Sequence, residues 1–177
     1  MICWFFGRSG AGKTTLAASV AGRLRALGHA VCVIDGDQLR AGLCADLGFD
    51  PASRTENHRR AAELARLVTL QTPGVIVLGA TMCPSPEHRA LLRRTLGPAL
   101  QLIQVRASHA TCVARDPKGL YAKASWGLLA DLDATTFQDP SADELRTQIH
   151  AVIDTDLKSA TPEESCESAW EVVRALL

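Results

Sequence analysis

Apolar runs and amphipathic stretches alternate along the whole chain. Ile2-Cys3-Trp4-Phe5-Phe6 is continuously apolar, and Leu16, Val20, Leu24 and Leu27 then recur at helical spacing. Gly28 and His29 lead into a second run, Ala30-Val31-Cys32-Val33-Ile34, which ends on Asp35. Runs at 74–79, 100–105 and 149–153 predict a third, fourth and fifth strand, and 56–70 and 87–96 read as helices. Thr161-Pro162-Glu163-Glu164 carries a capping-box pattern with proline in the first turn, the start of a last helix. Uniformly apolar strands separated by helices predict an α/β fold: a central, mostly parallel five-stranded sheet covered by helices on both faces. Ligands in such folds gather beyond the carboxyl ends of the strands. The stretch from about 116 to 141 lacks periodicity and carries several Gly, Pro, Asp and Thr residues, so it is expected to act as a lid.

The first strand-to-helix junction carries chemistry. Gly7-Arg8-Ser9-Gly10-Ala11-Gly12-Lys13-Thr14-Thr15 contains a complete Gly-x4-Gly-Lys-Thr pattern directly after the first apolar run. Its glycines let successive backbone N–H groups curl around the phosphates of a nucleoside triphosphate. Lys13 can then reach the β- and γ-phosphates, and the Thr14 hydroxyl can ligate Mg²⁺. The helix N-terminus also favours an anion through its free N–H groups and dipole. A chance Gly-rich turn lacks this combination of strand, loop and helix.

Size and charge narrow the setting. The 177 residues suit one domain over 1–177, able to bury a sizeable core. Lys+Arg and Asp+Glu are equal at 19 each, so no nucleic-acid partner is expected. No stretch approaches the ~18 apolar residues of a membrane span, and no signal peptide is visible, so a cytoplasmic location without membrane attachment is expected. The six cysteines (Cys3, Cys32, Cys44, Cys83, Cys112, Cys166) form no Cys-x-x-Cys pair and read as reduced thiols rather than a zinc site.

The second strand delivers Asp35-Gly36-Asp37-Gln38-Leu39-Arg40. Carboxylates at a strand's carboxyl end beside a phosphate loop can hold Mg²⁺ and accept a proton from an attacking hydroxyl. A helix cap followed by a first-turn acid fits the same residues. Leu47-Gly48-Phe49 and Ser53-Arg54-Thr55-Glu56-Asn57-His58-Arg59-Arg60 follow, a cluster of donors suited to an anion. For Arg59 and Arg60 an ordinary charged helix face is the simpler reading. The five histidines show neither metal-ligand spacing nor a nucleophile constellation, and only His58 sits within a substrate-facing motif.

Together these blocks resemble the adenosine 5′-phosphosulfate (APS) kinase family over most of the chain. The resemblance rests on Gly7 to Thr15, Ile34-Asp35-Gly36-Asp37, Leu39-Arg40, Leu47-Gly48-Phe49, Arg54-Thr55-Glu56-Asn57 and Arg59-Arg60. It rests most specifically on Arg115-Asp116-Pro117-Lys118-Gly119-Leu120-Tyr121-Ala122-Lys123-Ala124. It implies a three-layer P-loop kinase fold and transfer of the γ-phosphoryl of MgATP to the ribose 3′-hydroxyl of APS, giving 3′-phospho-APS (PAPS) and ADP. It further implies catalytic roles for Lys13, Asp35 and Asp37. ATP is expected on Gly7, Arg8, Ser9, Gly10, Ala11, Gly12, Lys13, Thr14, Thr15 and Arg115, and Mg²⁺ on Thr14 and Asp35. The acceptor is expected on Asp37, Arg40, Phe49, Arg54, Asn57, Lys118, Gly119, Leu120, Lys123 and Phe137. Phe49 would stack on the acceptor base, although by residue type alone a core phenylalanine is the commoner role. A homodimer and association with a sulfurylase belong to the same implication.

Four departures from the family pattern bear on the acceptor. Thr81-Met82-Cys83-Pro84 replaces an Ile-Ser-Pro motif whose serine some members phosphorylate, and Cys83 is expected to be a small apolar substitute rather than a nucleophile. Ser53 replaces an aspartate. Arg8 replaces an apolar residue in the loop, to meet phosphate or face solvent. Residues 129–137 replace a Phe-Thr-Gly-Ile-Asp segment, leaving Asp133 and Phe137 as survivors, with Trp126 unusual nearby. A changed lid leaves two alternatives open beside APS kinase: a kinase for another nucleotide-linked acceptor, such as a nucleoside diphosphate or phosphoramidate derivative, or a weakly active nucleotide-binding module.

Overall fold

The computed structural model describes residues 1–116, 119, 121, 137–156 and 158–177. The order of elements is β1 (Ile2–Phe6), α1 (Lys13–Ala26), β2 (Val31–Asp35), α2 (Gly36–Ala41), α3 (Pro51–Gln71), β3 (Ile76–Thr81) and α4 (Pro86–Leu96). A short 3-10 turn, Gly97–Ala99, leads to β4 (Leu100–Arg106), α5 (His109–Arg115), α6 (Ala142–Thr147), β5 (Ala151–Asp154) and α7 (Pro162–Arg174). The sheet order is β2-β3-β1-β4-β5 and every pairing is parallel. The predicted α/β sheet is thus realised with all five strands parallel.

Alternation along the strands builds two cores. Ile2, Trp4 and Phe6 face one side with Ala61, Ala65 of α3 and Leu92 of α4. Cys3 and Phe5 face the other with Leu16, Val20, Leu24 of α1 and Ala169, Val173 of α7. A sheet buried on both faces needs apolar residues at every strand position, which is why β1 reads as an unbroken run. Among the described residues no helix is long and apolar enough to cross a membrane.

Element ends moved where local chemistry competes with periodicity. β3 starts at Ile76 because Gly74, at φ +79°, sits in a turn closed by the Val75 N–H on the Thr72 carbonyl at 3.2 Å. It runs on to Thr81 because Phe6 pairs with Thr81. β5 begins at Ala151, since the Ile149 N–H is already donated to the Glu144 carbonyl at the end of α6. α3 begins at Pro51, five residues before the expected start, with Asp50 capping it through the Ser53 N–H at 3.0 Å. Leu27 lies beyond α1 and is exposed. The capping box at Thr161 and Glu164 is formed as expected.

One glycine in β3 is fixed by a neighbour. The Trp4 indole lies against Gly79, where an added Cβ would fall 2.3 Å from two indole carbons. Trp4 cannot retreat, because it is fully buried and its Nε1–H donates to Thr81 Oγ1 at 2.8 Å. Gly79→Ala is therefore expected to lower unfolding free energy by about 2 kcal/mol or more, the scale of overpacking a dense core. Urea denaturation would show it as a lower midpoint at unchanged slope.

Candidate active site

β1 lies between β3 and β4, so the loop after it opens at the centre of the carboxyl edge of the sheet. Gly7 has no room for a side chain: a Cβ there would lie 2.1 Å from the Val105 carbonyl oxygen. Gly10, at φ +76°, would put a Cβ 2.8 Å from the Cys112 carbonyl oxygen. Gly12 caps α1 in the left-handed conformation, with no side-chain cap and no acid in the first turn. The first N–H groups of α1 therefore meet no competing side chain and form an anion seat. Lys13 Nζ lies across the loop, donating to the Arg8 carbonyl at 2.6 Å.

The next layer comes from β2. Asp35 is buried at the strand's end, where its Oδ1 accepts the Asp37 N–H at 2.9 Å and so caps α2. Its Oδ2 accepts from Thr14 Oγ1 at 2.6 Å. The helix-cap reading of this carboxylate is realised, and the same side chain is also bonded to the loop hydroxyl. Asp37, two positions on, is exposed and lines the cleft. A hydroxyl and a carboxylate held together are hard oxygen donors, which fit Mg²⁺. No group of three or more acidic, His or Cys side chains is arranged as a metal cage among the described residues.

Among the residues expected at the acceptor, the Arg40 guanidinium sits 4.3 Å from the Phe49 ring centroid and donates to the Gly48 carbonyl at 2.9 Å. Arg54 approaches the same ring at 6.0 Å and its Nε donates to the Phe49 carbonyl at 2.6 Å. Phe49 is 42% exposed and lines the cleft, so the core reading of it fails. Asn57 is buried in the cleft wall, and its Nδ2 has no hydrogen-bond partner. A buried amide donor left so is costly unless something entering the cleft accepts from it. Arg59 and Arg60 instead pair with Glu56, and Arg60 also with Asp46, as expected of a charged helix face.

The loop residues Ser9 to Thr15 and Asp37, Arg40, Phe49, Arg54 and Asn57 border one cleft of about 660 Å³. Its far end is formed by Arg115, Thr155, Pro162 and Ser165. Arg115 donates to the Thr155 carbonyl, and Thr155 Oγ1 donates to the Ala11 carbonyl at 2.8 Å, tying β5 to the phosphate loop. Thr155 belongs to no motif, and its one signal in the sequence is position, directly after the fifth strand at the carboxyl edge. Tyr121 donates its hydroxyl to the Ser9 carbonyl at 3.0 Å.

Several expected contacts are placed elsewhere. The Gly7 N–H is donated to the Met82 carbonyl at 3.2 Å, so it is bonded to the segment after β3, and Gly7 is not among the residues lining the cleft. Arg8 meets neither phosphate seat nor open solvent: its guanidinium lies 5.0 Å from the Phe137 ring and pairs with Asp139 at 2.8 Å. Phe137, expected at the acceptor, is buried in the core on the α3–α4 side. Gly119, at φ +61°, closes a turn onto the Asp116 carbonyl and does not border the cleft. Lys118, Leu120, Lys123, Trp126 and Asp133, and with them most of the lid, lie outside the described residues. Cys83 is fully buried, and burial pushes its thiol up to about 12, so it is inert as a nucleophile.

A phosphate loop with Lys13 and Thr14, an acid pair beside it, and an arginine-and-aromatic subsite across a shared cleft define a P-loop kinase for a small nucleotide-like acceptor. The family model for adenylylsulphate kinase matches residues 1–148. Adenylyl-sulfate kinase of Paraburkholderia xenovorans is 44% identical over 155 residues, covering 88% of this chain and 83% of that one. The enzyme of the same name from Shewanella oneidensis is 41% identical over 167 residues, covering 87% and 80%. APS kinase of Mycobacterium tuberculosis, solved in complex with AMPPNP and APS, superposes at a TM-score of 0.83 with 34% identity, covering 98% of this chain and 96% of that one. The chain belongs to the adenylylsulphate kinase family.

Proposed function

We propose that this chain transfers the γ-phosphoryl group of ATP to the ribose 3′-hydroxyl of APS, giving PAPS and ADP. The observation that carries the reading is the shared cleft, with the phosphate loop and Asp37 on one side and Arg40, Phe49, Arg54 and Asn57 facing them.

The reaction breaks the bond from γ-phosphorus to its bridging oxygen and forms one to the 3′-oxygen, and the hydroxyl proton must leave. The bound triphosphate would draw Lys13 off the Arg8 carbonyl, where its ammonium offsets charge on the transferring oxygens. Asp37 is the carboxylate that takes the 3′-hydroxyl proton, since Asp35 is committed to the Thr14 hydroxyl and the α2 cap. Thr14 and Asp35 would hold Mg²⁺, which when bound offsets charge on the β- and γ-phosphates. The guanidinium of Arg54 would pair with the phosphosulfate, and Asn57 Nδ2 would donate to the acceptor sugar or anion. The exposed Phe49 face would stack on the acceptor base while Arg40 holds its other contacts in place. At the far end, Arg115 and Pro162 would border the ATP base.

A coupled ADP-release assay over a panel of acceptors tests this. ADP release is expected with APS, dependent on Mg²⁺ and abolished by EDTA, with no response to nucleoside diphosphates. Turnover of a different nucleotide and none of APS would move the activity to another acceptor. ATP binding without any turnover would leave only a nucleotide-binding role.

A further inference from the structure

His58 plays no part in the chemistry above, yet it joins both halves of the cleft. It is buried on α3 between Asn57 and the segment after β3. Its Nδ1 lies 2.8 Å from the Arg54 carbonyl oxygen, and its Nε2 lies 3.2 Å from the Cys83 backbone nitrogen. A carbonyl can only accept and an N–H can only donate. The ring must therefore be neutral, with its proton on Nδ1 and its lone pair on Nε2.

What the ring holds is strained. Cys83, a non-glycine residue, sits in the left-handed region at φ +42°. Such a conformation persists only where its surroundings over-determine it. The carbonyl of Cys83 accepts from Arg89 at 3.3 Å, and the preceding Met82 carbonyl accepts the Gly7 N–H of the phosphate loop at 3.2 Å. One continuous path thus runs from the Arg54 turn of α3, through the imidazole and residues 82–83, to the phosphate loop.

We propose that His58 is a positioning residue: its neutral imidazole sets the distance between the acceptor side of α3 and the phosphate loop. This rests on the APS reading for the identity of the acceptor, but not for the geometry. The surroundings favour the required state. Arg40 and Arg54 are the cations facing the ring, and the His88 ring packs against it at 4.5 Å. His88 bonds to Ser85 Oγ at 2.8 Å, with Glu87 and Arg89 as its charged neighbours. Burial first, and His88 next, push the His58 imidazole down to about 3. Holding a phosphate donor and an acceptor hydroxyl in register is where small displacements are expensive, since misplacement by about 1 Å can cost 10²-fold in rate.

Two measurements on the full chain test the proposal. Long-range ¹H–¹⁵N spectra should show His58 protonated on Nδ1 alone between pH 8 and 5; an imidazolium, or a proton on Nε2, overturns it. In steady-state kinetics, His58→Leu should lower kcat about tenfold and raise the APS KM, with the ATP KM within about twofold. His58→Gln, whose Oε1 can still accept the Cys83 N–H, should recover most of that loss. An unchanged kcat or APS KM in His58→Leu, or an equal rise in both KM values, overturns the positioning role and leaves a packing one. If His58→Leu does not fold, the His58→Gln kinetics and the tautomer decide. Wild-type protein that fails to turn over APS refutes the substrate reading instead, and the tautomer result stands apart from it.

Discussion

Asp37→Asn is expected to lower kcat by about 10²- to 10⁴-fold, the range a positioned general base contributes. Asparagine is nearly isosteric but cannot take the 3′-hydroxyl proton. Asp37 is exposed in the first turn of α2 and lines the cleft. ATP affinity, measured by calorimetry, should stay within about threefold, because the seat for phosphate is built by the loop and α1. Asp35→Ala should behave differently. Asp35 caps α2 and accepts from Thr14, so its loss should weaken both Mg²⁺ dependence and thermal stability. Near-normal turnover by Asp37→Asn would remove it from the proton-transfer role.

Arg89→Ala carries the largest expected stability loss, about 3–5 kcal/mol, as for a buried ion pair broken on one side. Arg89 is 1% exposed, and its Nε and Nη2 meet the two carboxylate oxygens of Glu144 at 2.8 and 3.1 Å. Its Nη1 donates to the carbonyls of Cys83 and Gln138, at 3.3 and 3.2 Å. Removing it strands a half-buried carboxylate and two carbonyls together, and cuts the tie between α4, the post-β3 segment and the start of α6. Replacing both partners by Arg89→Met with Glu144→Met should recover part of the loss, since an apolar pair leaves no uncompensated charge.

The same pair gives a pH signature. The Arg89 guanidinium holds the Glu144 carboxyl below the usual carboxylate range. A group whose folded pKa is depressed adds stability above its unfolded pKa and loses it as pH falls through the folded one. Chemical denaturation of the wild type should therefore show stability falling below about pH 4.3, the ordinary glutamate value. Arg89→Ala should lose this contribution and titrate more weakly there. An identical acid limb in the two proteins would show that the pair does not contribute to it.

Much of the site was legible because its parts are contiguous. The phosphate loop, the Asp35–Asp37 pair and the Arg54–Asn57 segment each lie within one turn or one strand end, where local geometry follows directly from residue order. Five strands were legible for the same reason, through runs that only a doubly covered sheet would bury. The misplaced residues share a different cause. Arg8 was expected to meet phosphate or solvent, but what it meets is Asp139, 131 positions away. Phe137 was read as a ligand contact because motif alignment says nothing of which way a ring turns, and it turns into the core.

The sequence by itself determined a glycine-rich turn and a bare helix N-terminus between β1 and α1, because glycine conformational freedom and a helix N-terminus are local properties. It also fixed the family, through blocks whose order survives any folding argument. Only the tertiary structure decided how the two halves of the cleft are joined. The His58 contact to Cys83, the Arg89 pair with Glu144 and the Thr155 bond to Ala11 span 25, 55 and 144 positions. Contacts at such separations exist only once the strand order β2-β3-β1-β4-β5 sets those ends side by side. Burial then removes the competing water and makes each polar pairing obligatory.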